Sequence, residues 1–243
     1  TTSGKAMGMW DIYNKQYVLS LQPDINRTPA PNPTYNTLSF NEDVKGWESF
    51  YTYKPTLGTS LKNNFYTFND AALYVHYSPD VSRGNFYGTT TPSSVEFVFN
   101  PQVSVSKVFK TINYEGDNGW QIDTFKSDLE KVGNPIARTA VNQDTTTKVY
   151  SYNQGSYDNF GNQFPAILTP PINYAGFVRM ENKYKANLVN NSVAAAGEII
   201  FGNAVTGIKG YFATVKVSTD SVTDPGGAKE LFAVSSEYNE SSY

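Results

Sequence analysis

The sequence predicts an all-β protein in which short antiparallel strands form β-sandwich-like modules. Three observations point there. Aromatic residues reach 15% of the chain, through 18 Tyr and 15 Phe, and aromatic and β-branched side chains suit a half-buried pleated surface. Residues 94–100 and 211–218 alternate apolar and polar positions with a period of two. No stretch sustains the 3.6-residue periodicity of an amphipathic helix.

Element by element, residues 9–21 place Asn14-Lys15 between two strand-forming runs and predict a hairpin, which leaves room for a propeller-like N-terminal segment. Pro23, Pro29, Pro31 and Pro33 follow, and proline cannot donate to a sheet ladder, so this stretch reads as a linker. Strands are expected at 38–40 and 46–53, the latter stopped by Pro55. Residues 64–68 and 73–77 form a hairpin about the turn Asn69-Asp70. Val95, Phe97 and Phe99 share one side of a strand, and residues 103–109 repeat that alternation after Pro101.

Asp117-Asn118-Gly119 predicts a turn before a strand at 120–125, and residues 126–131 read as a short helical turn. Residues 142–163 are polar and rich in Asn, Gln, Thr, Tyr and Gly, the composition of a long excursion. Further strands are expected at 176–180, 184–188, 197–201, 211–218 and 230–236. The last two, around the loop holding Asp224-Pro225-Gly226-Gly227, are hairpin or sandwich partners. The organisation expected is a hairpin and Pro-rich linker at 1–33, a β-module at 34–114 and a C-terminal sandwich-like module at 115–243.

Composition narrows the function classes. Charged residues are only 17% of the chain and the formal net charge is -3, so no electrostatic footprint for nucleic acid exists. With no cysteine and one histidine, His76, thiolate and His-rich metal sites cannot be assembled, and no cofactor is implied. His76 lies in the aromatic run Tyr74-Val75-His76-Tyr77 without a nucleophile elbow nearby, the setting of a packed strand histidine. Glu42-Asp43 and Asp128 with Glu130 supply carboxylates in ordinary polar contexts, which gives a polysaccharide depolymerase little support. No run of about 18 apolar residues is present, so no membrane-spanning helix is expected. Tyr150, Tyr152, Tyr157 and Phe160 form the one aromatic-rich stretch suited to an interface or to stacking on sugar rings.

The order of segments carries a resemblance. Trp10-Asp11-Ile12-Tyr13, Tyr17-Val18-Leu19-Ser20-Leu21, Leu38-Ser39-Phe40-Asn41-Glu42 and Gly46-Trp47-Glu48-Ser49-Phe50-Tyr51 come first. Arg83-Gly84-Asn85-Phe86-Tyr87-Gly88, Val108-Phe109-Lys110-Thr111-Ile112-Asn113-Tyr114-Glu115-Gly116 and Lys229-Glu230-Leu231-Phe232-Ala233-Val234 follow. Together these segments resemble the C-terminal part of large virion structural proteins of T4-like marine phages and crAss-like phages. The resemblance implies a non-enzymatic virion tail protein at a fibre, nozzle or baseplate position. Its implied partners are other tail proteins and further copies of itself, with a host surface glycan or receptor as the alternative role. Residues 142–171 take no part in the resemblance.

Overall fold

The computed structural model describes residues 5–22, 37–128, 149–152, 176–190, 205–220 and 229–241. Every regular element among them is a β-strand, as the sequence predicts, and the chain divides into two compact units, Thr1–Thr91 and Pro92–Tyr243. The two-unit division differs from the three modules expected, for a physical reason at each boundary. The first hairpin hydrogen-bonds directly to the strand beyond the proline-rich stretch, so it is no separate module. Strands between 92 and 116 pair with strands 70 or more residues downstream, which ties them to the C-terminal unit.

In the first unit, β1 (Lys5–Asp11), β2 (Gln16–Gln22), β3 (Thr37–Asn41) and β4 (Gly46–Tyr51) form an antiparallel meander in chain order. Two connections repeat one device. Asp11 and Asn41 each accept a hydrogen bond from the backbone N–H two residues on, at 2.9 Å, and Lys15 and Lys45 close the turns with a φ of 55°. These are Asx-turns followed by a left-handed residue, which explains how lysine occupies a position usually left to Gly or Asn. A second meander follows, β5 (Leu57–Leu61), β6 (Asn64–Asn69) and β7 (Ala72–Val75), and then the small hairpin β8 (Asn85–Phe86) and β9 (Thr89–Thr90). Met9, Val18 and Phe65 form the apolar core of this unit. Gly58 makes room for Met9: a Cβ on Gly58 would overlap the thioether sulfur.

The second unit contains β10 (Ser94–Phe99), β11 (Lys107–Phe109), β12 (Thr111–Gly116), β13 (Trp120–Ser127), β14 (Val178–Met180), β15 (Lys183–Asn187), β16 (Val189–Asn190), β17 (Val205–Thr206), β18 (Ile208–Gly210), β19 (Ala213–Thr219), β20 (Leu231–Ser235) and β21 (Tyr238–Glu240). The sheet β10-β19-β13 and the sheet β14-β15-β12-β20 contribute to one core, as in a sandwich. Ile122, Phe125, Val215 and Val217 come from the first sheet, and Ile112, Tyr114, Tyr184 and Ala186 from the second. A bulge keeps β13 in phase. Ile122 pairs with Val217 and Thr124 with Lys216, so Asp123 is the extra residue, and Phe125 turns inward although it lies three positions after Ile122.

The turn at Asp117-Asn118-Gly119 forms as expected, but it links strands of different sheets and is a sandwich corner. Just before it, Gly116 has φ 151° at a second bulge, where a Cβ would overlap the Glu230 carbonyl oxygen. Gly116→Ala is expected to cost roughly 2 kcal/mol in urea unfolding, since backbone on both sides resists displacement.

Three local expectations are corrected. Residues 103–106 do not continue a strand, because the Val105 N–H bonds the Gln102 carbonyl in a turn and the buried Lys107 ammonium donates to the Gln102 and Val105 carbonyls at 2.9 and 2.7 Å. Of the helical turn expected at 126–131, Lys126 and Ser127 complete β13 instead, held by the pairing of Ser127 with Ala213, Asp128 takes a 3-10 conformation, and residues 129–131 lie outside the described residues. Tyr211 and Phe212 precede β19, their N–H groups directed at Asp128 Oδ1 at 2.7 and 3.5 Å. The strands at 211–218 and 230–236 belong to opposite sheets, so of the two arrangements expected they are sandwich partners. The strand expected at 197–201 lies outside the described residues.

Candidate interaction surface

The N-terminal meander sorts its side chains in an unusual way. One face carries Met9, Val18, Ser20, Thr37 and Ser39, all buried, beside the buried Asp11 and Gln16. On the opposite face the cross-strand register aligns Trp10, Tyr17, Phe40 and Trp47 in one row across all four strands. Gly8, Leu19, Leu38 and Phe50 form the next row. The large apolar residues therefore face outward: Trp10 is 43% exposed, Trp47 49% and Phe50 68%. A bulge is responsible for the continuity. Ser39 pairs with Ser49 and Phe40 with Trp47, which leaves Glu48 unpaired and lets Trp47 and Phe50, three residues apart, share the face. The Glu48 carboxylate accepts from the Gln16 and Asn41 side-chain amides, on the other side of the sheet. The face itself holds no charged side chain.

Behind the meander lies a polar and aromatic cluster. Asp11 is fully buried and accepts from the Tyr77 hydroxyl at 2.6 Å, the Tyr13 N–H at 2.9 Å, and the Asn14 N–H and side-chain amide at 3.3 and 3.2 Å. Tyr13 stacks on Tyr77 with ring centroids 4.7 Å apart. The Thr67 hydroxyl sits 2.7 Å from His76 Nε2 and 2.8 Å from the Tyr87 hydroxyl. Tyr53, Phe65 and Phe86 crowd the imidazole at centroid distances of 4.9 to 6.1 Å. Tyr77 and Tyr87 hold φ of 63° and 54°, strained for bulky residues, and both are fixed there by these hydrogen bonds.

Burial pushes the His76 pKa down to about 4, against the opposing pull of Asp11. Burial, and then the hydrogen bond to Asp11, raise the Tyr77 phenol well above its ordinary range; burial does the same for Tyr53, and it raises Tyr87 against the opposing effect of the Thr67 hydrogen bond. The cluster is thus built around a neutral imidazole and neutral phenols. Thr67 is fully buried beside His76, so the pair is a packed hydrogen bond and not a nucleophile with its base. The proton linkage has a definite sign. A histidine whose folded pKa is depressed stabilises the fold above its unfolded value of 6.5, and this contribution is lost as pH falls toward 4. His76→Gln is expected to remove about 2 kcal/mol of stability loss between pH 6.5 and 4, after discounting for partial exposure, and urea midpoints across that range check it.

Of the aromatic residues singled out from sequence, Tyr150 and Tyr152 lie in the second unit. Tyr150 bridges to Gly176, its carbonyl accepting from the Phe177 N–H at 3.0 Å. Tyr152 packs against the sandwich core, 6.2 Å from the Tyr184 ring. Tyr157 and Phe160 lie outside the described residues. Among the described residues no cluster of three or more His, Asp or Glu could hold a metal ion. The outward row of the N-terminal meander was legible in part: Trp10, Tyr17, Leu19, Leu21 and Phe40 alternate, but both faces of these strands contain apolar residues, so sequence alone does not say which face is open.

Comparison with protein families brings a match over residues 81–191 to the Crassvirus muzzle protein C-terminal domain. The matched span is less than half of the chain and lies mostly in the second unit, from the start of its first sheet to the end of β16. It supports the crAss-like part of the resemblance; the T4-like part has no support. Comparison with curated proteins gave no match.

Proposed function

We propose that this virion component is a non-catalytic structural protein of the phage tail, held in place by sheet faces and edges that contact neighbouring tail proteins. The carrying observation is the match of residues 81–191 to the muzzle protein C-terminal domain. The geometry is consistent with such a role. The single histidine is committed to a packed cluster, and apolar side chains are displayed on an exposed sheet face suited to protein contacts. Association with other virion proteins follows from the localisation, while a fibre, nozzle or baseplate position is the finer reading proposed.

The test is made in the parent virus. Antibody labelling of purified particles should mark the tail, and deletion of the gene should leave particles that lack infectivity. Infectious particles without the protein, or label confined to the head, would reject this reading.

A further inference from the structure

We infer that the outer face of the N-terminal meander is a self-pairing surface whose occupant is the same face of a second copy of this chain. This inference rests on the reading of the protein as an assembly component and names the partner of one of its surfaces.

The first argument is the inverted distribution of side chains. The inner face carries serines, Thr37 and an aspartate beside Met9 and Val18, whereas the outer face carries two tryptophans, Tyr17, Phe40 and Phe50. In a single chain about half of the surface of Trp10, Tyr17 and Trp47 and most of that of Phe50 therefore stays in water, and it becomes buried only when a second layer covers it.

The second argument is symmetry. The row across the four strands reads Trp10, Tyr17, Phe40, Trp47, nearly the same from either end. A two-fold axis between the faces and parallel to the strands sets β1 of one copy against β4 of the other. Trp10 then meets Trp47, and Tyr17 meets Phe40, in both halves of the contact, as an isologous interface requires. In the next row Leu19 meets Leu38. Gly8 falls opposite Phe50, with the Tyr17 ring covering its backbone, so Phe50 meets the edge of that ring. The aligned packing of two twisted sheets, about 30° apart, preserves this pairing.

The third argument is area. The open fractions of Trp10, Tyr17, Trp47 and Phe50 leave about 400 Å² of apolar surface at roughly 200 Å² per aromatic ring, and the neighbouring leucines and Phe40 bring the face to about 600 Å². Two such faces bury about 1,200 Å², the lower bound of specific stable interfaces. The contact is then a reversible one that a multivalent assembly reinforces.

The experiment is sedimentation equilibrium of the full chain from about 1 to about 200 µM, the range over which an interface of this size dissociates. Wild type should show a reversible monomer–dimer equilibrium. Phe50→Glu, at a residue 68% exposed, should weaken it about thirtyfold or more with unchanged circular dichroism, and Phe232→Glu, in the second unit at 73% exposed, should leave it unaltered. Trp10→Lys and Trp47→Glu should each weaken the dimer. Combined in one chain they should regain about tenfold, because the axis sets position 10 against position 47. A monomer throughout the range, a dimer indifferent to Phe50→Glu, or a monomer that instead floats with phosphatidylcholine vesicles overturns the proposal. Detection in tails of a protein monomeric in solution would remove this inference and leave the tail reading standing; loss of the tail reading would leave the dimer measurement untouched.

Discussion

Asp11→Ala is expected to destabilise the N-terminal unit by about 3 to 4 kcal/mol, measured by urea unfolding followed through tryptophan fluorescence. Asp11 is fully buried and accepts four hydrogen bonds, from Tyr77, the Tyr13 N–H and two donors of Asn14. Removing the carboxylate strands these donors, and each buried polar group left unpaired costs about 1 to 3 kcal/mol. Partial access of water to the turn keeps the sum below that ceiling. The Tyr77 hydroxyl is the most affected, since its strained φ of 63° is held by this bond and by stacking on Tyr13. Asp11→Asn retains one acceptor oxygen for the turn and should lose only about half as much. A loss below about 1 kcal/mol for Asp11→Ala would mean that the turn is held by strand pairing alone.

Phe125→Ala should cost about 4 kcal/mol in the second unit. Phe125 is fully buried, its ring 5.5 Å from Phe109 and 6.3 Å from Phe99, so it joins β13 to β11 and β10 at the centre of the sandwich. Loss of a buried phenyl group removes its transfer free energy and leaves a cavity that surrounding strands, fixed by their ladders, close only in part. Thermal and urea midpoints should fall together, and Phe125→Leu, which fills much of the space, should recover at least half of the loss.

The two sites differ in how visible they are before folding. Phe125 follows a run in which Trp120 and Ile122 alternate, and a strict period of two puts Thr124 inward instead. The bulge at Asp123 shifts the phase, and that extra residue depends on the register against Val215 and Val217 of β19, more than 80 residues downstream. Asp11 is ordinary in the sequence, one residue before a turn, and its partner Tyr77 lies 66 positions away. The solitary His76 stands out by composition, and its placement in an aromatic strand run predicts a packed residue. The Thr67 and Tyr87 hydroxyls that fix it come from other strands and turns.

The interaction surface shows the same division. Alternation in residues 5–22 and 37–51 makes these segments strands, yet Met9 and Trp10, or Val18 and Tyr17, are adjacent apolar residues of opposite faces. Hydrophobicity alone favours burying the tryptophans. The structure buries Met9 instead, because Gly58 opens a slot for its thioether and because Asp11, on the same parity, finds its donors only on that side.

By itself the sequence determined that this protein is all-β, that its strands are short and antiparallel, that its turns fall at Asn14-Lys15, within one residue of Asn69-Asp70 (the structure turns at Asp70-Ala71), and at Asp117-Asn118-Gly119, and that one histidine without cysteine leaves few catalytic designs. These are consequences of local chemistry: period-two patterning, turn residues and composition act within a few positions. Only the tertiary structure decided where the chain divides, which strands share a sheet, and which face of the N-terminal meander stays open. Those outcomes depend on pairings between distant strands and on bulges at Glu48 and Asp123, where one unpaired residue reverses the direction of every side chain that follows it in the strand.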